Sequence, residues 1–451
     1  MRGNIYIENY GCAFNVADGE YIRQSFISSG WSVVDNITQA NVIIINTCSV
    51  REDTERNMVS RIRSIRSILK NDQKLIVTGC LAKTSPSQIL SASPEAIIIG
   101  PSNIDQIVNI AENDSAKIFI GDSTRKVEII PEYLNGITFI LPIESGCTWS
   151  CTFCVTKFAR GNVLSYRPGS LFNAMRNAIE KGAREIYLTG QDTAAYGIEN
   201  GFRLPELLKT LLKINGEYRI RVGMFNPMTA RGILDDLLNV YKSDHRIYRF
   251  IHMPVQSGDD NILRLMKRYY TVKEYENMIQ LVRKYVPEMF IATDIIVGFP
   301  GETEEAFENT VKLVERLQFD KVHIAKYSVR PHTEAAVMKQ LPDSIKKRRT
   351  SYLTEIVDEI SLQKNVRFIG KEIEALIVGK GSKSGLEARA NDYRVVILDN
   401  VNEQLIGHFV LVRIIDASPH YLKGQLVSIP DEHPYTFSVI APRPSYEDDM
   451  V

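Results

Sequence analysis

Three short runs of β-branched residues near the N-terminus each finish on a cysteine, and this pattern strongly constrains the fold. The runs NIYIENYGC, ANVIIINTC and KLIVTGC end at Cys12, Cys48 and Cys80, with helical stretches between them. Alternating strands and helices predict a parallel sheet, whose ligands lie beyond the carboxyl ends of the strands. The three cysteines are therefore predicted to converge on one edge, and EAIIIG at 95–100 to extend the sheet. Three unrelated buried thiols are the alternative.

A second group of cysteines, Cys147, Cys151 and Cys154, has the spacing C-x3-C-x2-C in GCTWSCTFC, and no cysteine follows it. Three thiolates can hold three irons of a four-iron, four-sulfur cluster and leave the fourth iron open. Zinc is the alternative, although structural zinc takes four protein ligands and catalytic zinc usually has nitrogen or carboxylate ligands. A long chain without a signal peptide argues against disulfides. The spacing favours a cluster with an open iron.

The middle of the chain repeats a strand and then a helix about six times. The predicted strands are ITFILPIESG, EIYLTG, RIRVGMF, YRFIHMPVQSG, MFIATDIIVGFPG and DKVHIAKYSV. Successive β/α units curl into a barrel, and six units fall short of the eight that close a full one. We therefore predict a partial (β/α)6 barrel with its chemistry in the loops after the strands.

The C-terminal third begins with a predicted helical connector, whose KKRR run at 346–349 is expected on a solvent-exposed face. Short alternating strands with Gly/Ser turns then predict a small β-barrel, followed by a poorly ordered tail. The fold class is therefore α/β with a small terminal β-barrel. The predicted domains are an N-terminal α/β domain, the partial barrel, the β-barrel and the tail, at 1–125, 132–365, 366–430 and 431–451.

Composition adds few constraints. The chain has 54 Lys and Arg against 54 Asp and Glu, so its net charge of zero neither demands nor excludes a nucleic-acid partner. No run of about 18 apolar residues predicts a membrane span, and the N-terminus lacks a signal-peptide core. We expect a cytoplasmic protein with no membrane partner.

The loop GCTWSCTFCVTKFARG resembles the cluster loop of the radical S-adenosylmethionine superfamily. Together with the N-terminal cysteines and the terminal β-barrel, about residues 1 to 430 resemble the methylthiotransferase family in domain order. The phrases RGN, TGQDTAAYG, HMPVQSGDD, ATDIIVGFPGET and YSVRPHTEAA are most similar to its archaeal and eukaryotic branch, which modifies threonylcarbamoyladenosine in tRNA. The terminal β-barrel then corresponds to the family's TRAM RNA-binding domain.

The resemblance implies two [4Fe-4S] clusters. The first, on Cys147, Cys151 and Cys154, would bind S-adenosylmethionine and cleave it to a 5′-deoxyadenosyl radical that removes hydrogen from C2 of the adenine at tRNA position 37. The second, an auxiliary cluster that carries the sulfur for methylthiolation, would be held by Cys12, Cys48 and Cys80. The implied partners are the tRNA anticodon stem-loop, an electron donor such as a flavodoxin or ferredoxin, and a sulfur source.

The resemblance also implies contacts to the cofactor around the first cluster. Phe153 matches an aromatic residue that often stacks near the adenine, and packing as an ordinary loop aromatic is the alternative. Gly190, Gln191 and Asp192 fall where the superfamily contacts the methionine amine, but its usual glutamate is replaced. Asp192 could instead be a helix N-cap.

Four further polar residues are candidates for cofactor or substrate contact. Arg160 and Arg221 suit a cofactor carboxylate or an RNA phosphate, and a solvated arginine is the alternative for each. His252 and Gln256 follow the fourth barrel strand, where cofactor or substrate would bind, although His252 could be a satisfied core histidine. The glycines of VGFPGET at 297–303 allow close approach to the adenosine or only a tight turn.

The terminal β-barrel carries candidates for RNA contact, as small barrels bind single strands through basic and aromatic residues. They are Lys380, Lys383, Arg389, Tyr393, Arg394 and Arg413. Other substrates stay open, namely isopentenyladenosine in tRNA or an aspartate of a ribosomal protein. A non-catalytic zinc or RNA-binding module is the alternative from a different class.

Overall fold

The structure is a computed structural model that describes residues 2–49, 52–113, 117–121, 128–381 and 385–430. Within these ranges no helix is both long and apolar enough to cross a membrane. The predicted tail at 431–451 and the candidate Lys383 lie outside the described residues.

The N-terminal domain is a parallel sheet covered by helices, as predicted. Its strands are β1 (Asn4–Asn9), β2 (Ser32–Val33), β3 (Val42–Thr47), β4 (Lys74–Gly79), β5 (Ile97–Ile99) and β6 (Ile118–Phe119). Its helices are α1 (Ala13–Ser28), α2 (Glu52–Ile68), α3 (Cys80–Thr84), α4 (Pro86–Ala92) and α5 (Ile107–Asn113). The strand order is β2-β1-β3-β4-β5-β6, so EAIIIG extends the sheet beside β4. Every residue of β3 is buried, as expected for a central strand with helices on both faces.

The middle domain contains six parallel strands in two groups of three, and a separate antiparallel pair of two-residue strands. Its strands are β7 (Thr138–Pro142), β8 (Glu144–Ser145), β9 (Leu164–Ser165), β10 (Glu185–Thr189), β11 (Arg219–Val222), β12 (Phe250–His252), β13 (Phe290–Val297) and β14 (Lys321–Lys326). Its helices are α6 (Thr156–Arg160), α7 (Pro168–Glu180), α8 (Leu204–Leu211), α9 (Pro227–Ala230), α10 (Leu234–Ser243), α11 (Asp260–Leu265), α12 (Val272–Tyr285) and α13 (Glu304–Leu317). The groups β7-β10-β11 and β12-β13-β14 meet through a parallel bridge between Ile220 and Ile247. The predicted partial barrel is confirmed.

Side chains alternate between the two faces of the barrel strands. Ile186, Ile220, Ile251 and Ile291 pack in the main hydrophobic core. The residues that alternate with these isoleucines along the strands, including Arg221 and His252, therefore face the inside of the barrel.

The C-terminal domain is a closed five-stranded barrel, as predicted. Helix α14 (Asp343–Asn365) leads into β15 (Glu372–Lys380), β16 (Leu386–Ala390), β17 (Val395–Leu398), β18 (Phe409–Ala417) and β19 (Leu422–Ser428). The barrel closes in the order β15-β16-β17-β19-β18. The remaining helical segments are short 3-10 turns at Ile37–Gln39, Pro101–Gln106, Thr193–Ala195, Glu334–Val337, Val366–Phe368 and Glu403–Leu405.

The KKRR run lies on α14, but the prediction that it faces solvent is wrong for two of its four residues. Lys346 and Arg349 are buried, one turn apart on the face of α14 that meets the middle domain. Lys346 Nζ donates to the Tyr327 carbonyl at 3.2 Å, and Arg349 Nη1 donates to Glu302 Oε2 at 2.6 Å. Because the run is helical, its first and last residues are buried and its two middle residues are exposed to solvent.

Two of the candidates for RNA contact, Tyr393 and Arg394, instead attach the small barrel to the middle domain, so that prediction is wrong for them. The turn between β16 and β17 reaches the amino ends of the barrel strands, where the Tyr393 ring lies 4.9 Å from that of Phe250. Arg394 is buried and pairs with Asp320 at 2.7 Å, and Arg389 is also buried. Two candidates, Lys380 and Arg413, are exposed, each in a surface ion pair.

Candidate functional site

The N-terminal cysteines follow three adjacent strands of the sheet. Cys12 precedes α1, Cys48 follows β3 directly, and Cys80 begins α3 after β4. Gly11 allows the first two loops to approach, because a Cβ on Gly11 would lie 2.7 Å from the Cys48 Cβ, and its φ of +107° is one that few other residues adopt. The predicted positions at the carboxyl edge of the sheet are confirmed.

Asn15 connects the three strand ends. Its Nδ2 donates to the Tyr10 carbonyl at 2.8 Å and to the Thr47 carbonyl at 2.7 Å. Its Oδ1 accepts from Arg160 Nη2 at 2.7 Å and lies 3.9 Å from Cys80 Sγ. One buried amide therefore orders the backbone beside this triplet and receives an arginine from the middle domain.

Arg160 is buried against the N-terminal domain, so the alternative of a solvated arginine is wrong. Its Nη2 pairs with Asp18 Oδ2 at 2.6 Å, and its guanidinium lies 4.3 Å from the Phe14 ring centroid. Burial opposes its charge, but Asp18 and the neighbouring thiols of Cys80 and Cys12 outweigh burial and raise its pKa. This cation belongs to the helix that follows the C-x3-C-x2-C loop, so it connects the two cysteine triplets.

A second buried arginine near the N-terminal triplet was not predicted. Arg330, in the loop after β14, is 5% exposed, and its Nη1 pairs with Glu55 Oε2 at 3.1 Å. Its Nη2 has no partner among the described residues. Burial lowers its pKa, while Glu55 and, more weakly, Cys48 raise it. The phrase YSVRPHTEAA contained the only signal, and nothing local distinguishes this arginine from a solvated one.

The second triplet lies in the loop between β8 and α6, beyond the carboxyl end of β7. The Cys147 amide donates to the Gly161 carbonyl at 3.1 Å, which closes the loop on itself. Burial raises the pKa of Cys147 and of Cys154, and neighbouring negative groups raise both further. At these positions the cysteines therefore need a positive charge nearby in order to ionise to thiolates.

Arg268 supplies a positive charge beside this triplet and was also missed. Its Nη1 lies 3.7 Å from Cys151 Sγ, its Nη2 donates to the Pro254 carbonyl at 2.8 Å, and its Nε donates to Tyr270 Oη at 3.1 Å. The guanidinium is buried, so it is held beside the sulfur atom.

The loop after β10 packs directly on the cluster loop. Gln191 Oε1 accepts from the Gly146 amide at 2.6 Å. Asp192 Oδ1 accepts from the Asn226 amide at 2.9 Å, and its Oδ2 from Thr229 Oγ1 at 2.7 Å. Asp192 occupies the N-cap position of the 3-10 turn that follows, as the alternative holds, but its side chain makes no capping hydrogen bond. Burial raises the pKa of Asp192 to about 6.

Glu144 is a buried acid that sequence reasoning missed. Its Oε1 accepts from the Asp192 amide at 3.0 Å, whereas its Oε2 has no partner among the described residues. Burial raises its pKa well above the usual range. A Cβ on Gly190 would lie 2.1 Å from Glu144 Oε1, which explains the glycine at that position.

Phe153 packs on a small hydrophobic cluster that includes Ile262, Met266 and Phe299. This contact agrees with the packing alternative and leaves its proximity to an adenine as a prediction.

Inside the barrel, His252 Nε2 lies 2.7 Å from Asp294 Oδ1, so the histidine is both satisfied and directed into the lumen. The ring of His323 lies 5.3 Å from that of His252, and burial lowers the pKa of His323 to about 3. The arrangement gives the lumen a neutral imidazole beside a hydrogen-bonded pair.

Arg221 also faces the lumen, and the solvated alternative is wrong for it. Its guanidinium lies 4.5 Å from the ring centroid of Tyr187 and 5.0 Å from that of Phe250. Its Nε is buried without a hydrogen-bond partner among the described residues. Aromatic faces stabilise this cation at the end of the barrel away from the cysteines.

Gln256 and the VGFPGET turn lie at the carboxyl end of the barrel. Gln256 has a φ of +72°, its amide donates to the Asp294 carbonyl at 2.8 Å, and its Oε1 is buried without a partner among the described residues. Gly298 has a φ of +75°, and its amide donates to Glu302 Oε2 at 2.9 Å. Glu302 therefore stabilises the tight turn.

The spacing of the cysteines fits a cluster better than a single metal ion. Among the described residues, only His252, Asp294 and His323 bring three ligand atoms all within 4.8 Å of one another. Neither cysteine triplet is that compact. Sulfur ligands on one tetrahedral zinc lie roughly 3.8 Å apart, given Zn–S bonds of about 2.3 Å. Three wider-spaced thiols fit three irons of one cluster.

Comparisons with known proteins agree with this domain order. Residues 4–100 match the uncharacterized protein family UPF0004, residues 141–314 the radical SAM superfamily and residues 366–427 the TRAM domain. A probable threonylcarbamoyladenosine tRNA methylthiotransferase of Pyrococcus horikoshii is 40% identical over 94% of this chain and 99% of its own length. A tRNA-2-methylthio-N(6)-dimethylallyladenosine synthase of Parabacteroides distasonis is 34% identical over 94% of this chain and 95% of its own.

A solved structure supports the fold. The radical S-adenosylmethionine methyltransferase TsrM of Kitasatospora setae, with cobalamin and a [4Fe-4S] cluster bound, superposes with a TM-score of 0.56. The match has 13% identity and covers 74% of this chain and 77% of that one. At this identity the likeness concerns the fold alone.

Proposed function

Because this chain belongs to the radical S-adenosylmethionine methylthiotransferase family, we propose that it methylthiolates C2 of N6-threonylcarbamoyladenosine at position 37 of tRNA. The observation that carries the proposal is the buried pair of Arg160 and Asp18. It fastens α6, the helix after one cysteine triplet, to α1, the helix that follows Cys12 of the other. One base can therefore be served by two metal centres.

The ligands in this proposal are the two triplets, each holding one [4Fe-4S] cluster. Cys147, Cys151 and Cys154 would hold the barrel cluster, and the N-terminal cysteines the auxiliary one. When bound, the barrel cluster would supply the electron that cleaves S-adenosylmethionine, and the auxiliary cluster would carry the sulfur. The wide spacing of the thiols supports this assignment over zinc, since among the described residues neither triplet brings three ligand atoms within 4.8 Å of one another.

The protein side chains bind, orient and balance charge around these centres. Arg268 beside Cys151 and Arg160 beside Cys80 offset the negative charge of the thiolates. Gln191 and Asp192 hold the loop that the methionine part of S-adenosylmethionine would meet, and Gln256 offers it an unused acceptor oxygen.

The other cofactor contacts are proposed from the positions of the residues in the cluster loop and on the barrel strands. Phe153 is proposed to lie near the adenine, because it stands between two cluster cysteines. His252 lies inside the barrel beneath the carboxyl ends of the strands, where the cofactor or the target base would bind. Arg221 lies deeper, against the aromatic rings at the other end, and a direct cofactor contact is the weaker proposal for it.

The substrate proposed is tRNA. The relative named for threonylcarbamoyladenosine is 40% identical and the one named for dimethylallyladenosine 34%, and this difference favours the first base. The terminal barrel, through Lys380 and Arg413, is proposed to contact the RNA backbone. An electron donor such as a flavodoxin or ferredoxin and a source of sulfur complete the reaction.

The test begins with anaerobically reconstituted protein and its triple variant Cys147→Ala, Cys151→Ala, Cys154→Ala. We expect two four-iron clusters in the parent and one in the variant, from iron and sulfide analysis with electron paramagnetic resonance. The parent, with reductant, S-adenosylmethionine and tRNA, should yield the methylthio nucleoside in digests analysed by mass spectrometry, and the variant should yield none. Zinc in place of iron would overturn the assignment of the two clusters. Modification of only dimethylallyladenosine would overturn the choice of threonylcarbamoyladenosine as the substrate base.

A further inference from the structure

An aromatic pair lies outside the contacts described so far. The rings of Phe158 and His332 stack with centroids 4.1 Å apart and planes inclined by 11°. Phe158 stays 41% exposed although one of its faces is covered by His332. The pair thus presents an aromatic surface to solvent.

This pair connects the segment after Cys154 with the segment after Cys80. Phe158 is on α6, four residues beyond Cys154 and two before Arg160, which pairs with Asp18 of the N-terminal domain. His332 Nε2 contacts the carbonyl of Thr84, four residues after Cys80, at 3.1 Å. The pair therefore joins two segments that each follow a cysteine of a different triplet.

The backbone at His332 indicates that its ring is held there at a cost. His332 has a φ of +64°, a conformation that few residues other than glycine adopt. Strain of this kind persists where the surrounding structure requires a particular side chain, often at a binding site. Here the contact with Thr84 and the stack on Phe158 fix the ring.

A cation lies near the exposed ring. Lys83 Nζ lies 5.9 Å from the Phe158 ring centroid, whereas the adjacent Lys157 donates its Nζ to the Thr148 carbonyl at 2.8 Å. Aromatic faces with cations at their edge are the usual binding surface for single-stranded nucleic acid, whose bases stack while phosphates meet the cations.

We propose that Phe158 and His332 form a stacking site for a nucleobase next to the target adenosine in the anticodon loop. This inference rests on the proposed function, because it needs a tRNA substrate. Stacking a neighbouring base would keep the loop open while the target base is turned toward the clusters. The partner is an RNA loop and not a protein, since the surface pairs an exposed aromatic ring with a lysine.

The test uses the reconstituted protein and an anticodon stem-loop RNA with threonylcarbamoyladenosine at the target position and 2-aminopurine on its 3′ side. Stacking quenches 2-aminopurine fluorescence, so wild type should quench it on binding. Phe158→Leu keeps an apolar side chain without a ring and should weaken the RNA Kd roughly tenfold and restore fluorescence. Phe158→Tyr should retain both the wild-type Kd and the quenching of fluorescence.

Two further variants make the result decisive. His332→Asn tolerates the positive φ but removes the second ring, so it should weaken quenching even if Phe158→Leu disturbs the nearby loop. Tyr352→Leu, at an exposed tyrosine on α14, is the control and should bind as wild type. Wild-type Kd and quenching in both ring variants would overturn the stacking site. Failure of wild type to bind the RNA at all would instead overturn the proposed function.

Discussion

Gly190 leaves no room for a side chain beside the candidate site. A Cβ there would lie 2.1 Å from Glu144 Oε1, and that oxygen is fixed by its bond to the Asp192 amide. We expect Gly190→Ala to displace the loop that packs on Gly146 and to reduce the iron bound on reconstitution. Gly169→Ala is the matched control, since a Cβ there meets no atom within 4 Å. Equal iron in the two variants would contradict this prediction.

Asp192 makes stability depend on pH. Burial raises its pKa from 3.8 to about 6 in the folded protein. Between about pH 4 and pH 6 the unfolded chain ionises this carboxyl while the folded protein keeps it protonated, so stability falls as pH rises through the folded pKa. The loss should be on the order of 2–3 kcal/mol and complete above about pH 7.

Urea unfolding of the metal-free protein checks this prediction. Asp192→Asn cannot ionise, so we expect its unfolding midpoint to change less than that of wild type between about pH 4 and pH 7. Parallel changes in the two proteins would exclude Asp192 as the source.

At the scale of elements, helix α14 buries one of two adjacent arginines. Arg349 pairs with Glu302 in a buried contact, whereas the Arg348 side chain is 65% exposed and pairs with Glu304 at the surface. Arg349→Ala leaves the Glu302 carboxylate buried without its partner, which should cost about 3–5 kcal/mol. Arg348→Ala should cost less than about 1 kcal/mol. Chemical denaturation of the two variants measures the difference, and similar midpoints would refute the burial of this pair.

At the scale of the whole molecule, Tyr393 fastens the small barrel to the middle domain. Its ring lies 5.0 Å from that of Tyr248 and 4.9 Å from that of Phe250, and Arg221 stacks on it at 5.5 Å. We expect Tyr393→Ala to speed amide hydrogen exchange at the turn between β16 and β17 and at the start of β12, because these backbones lose their shared packing.

Tyr421→Ala is the control for this prediction, since Tyr421 is 37% exposed on the small barrel. Its exchange should match wild type in both segments. Unchanged exchange in Tyr393→Ala would mean that the ion pair of Arg394 with Asp320 suffices to hold the domains.

Local patterns in the sequence determined the elements and the cysteine positions. Runs of β-branched residues define β1, β3 and β4, and the rule that ligands follow the carboxyl ends of parallel strands located Cys12, Cys48 and Cys80. In the middle domain, the C-x3-C-x2-C spacing identified the second cysteine triplet, and the strand–helix repeat predicted the partial barrel. These features extend over a few residues, so periodicity and spacing suffice to recognise them.

Only the tertiary structure decided which polar side chains are buried and what they contact. Arg160 meets Asp18 across 142 positions of sequence, and Arg394 meets Asp320 across 74. Glu144, Arg268 and the turn at Tyr393 likewise acquire their surroundings from distant segments. Burial and pairing depend on which surfaces meet when the domains pack, and no local periodicity in the chain records that.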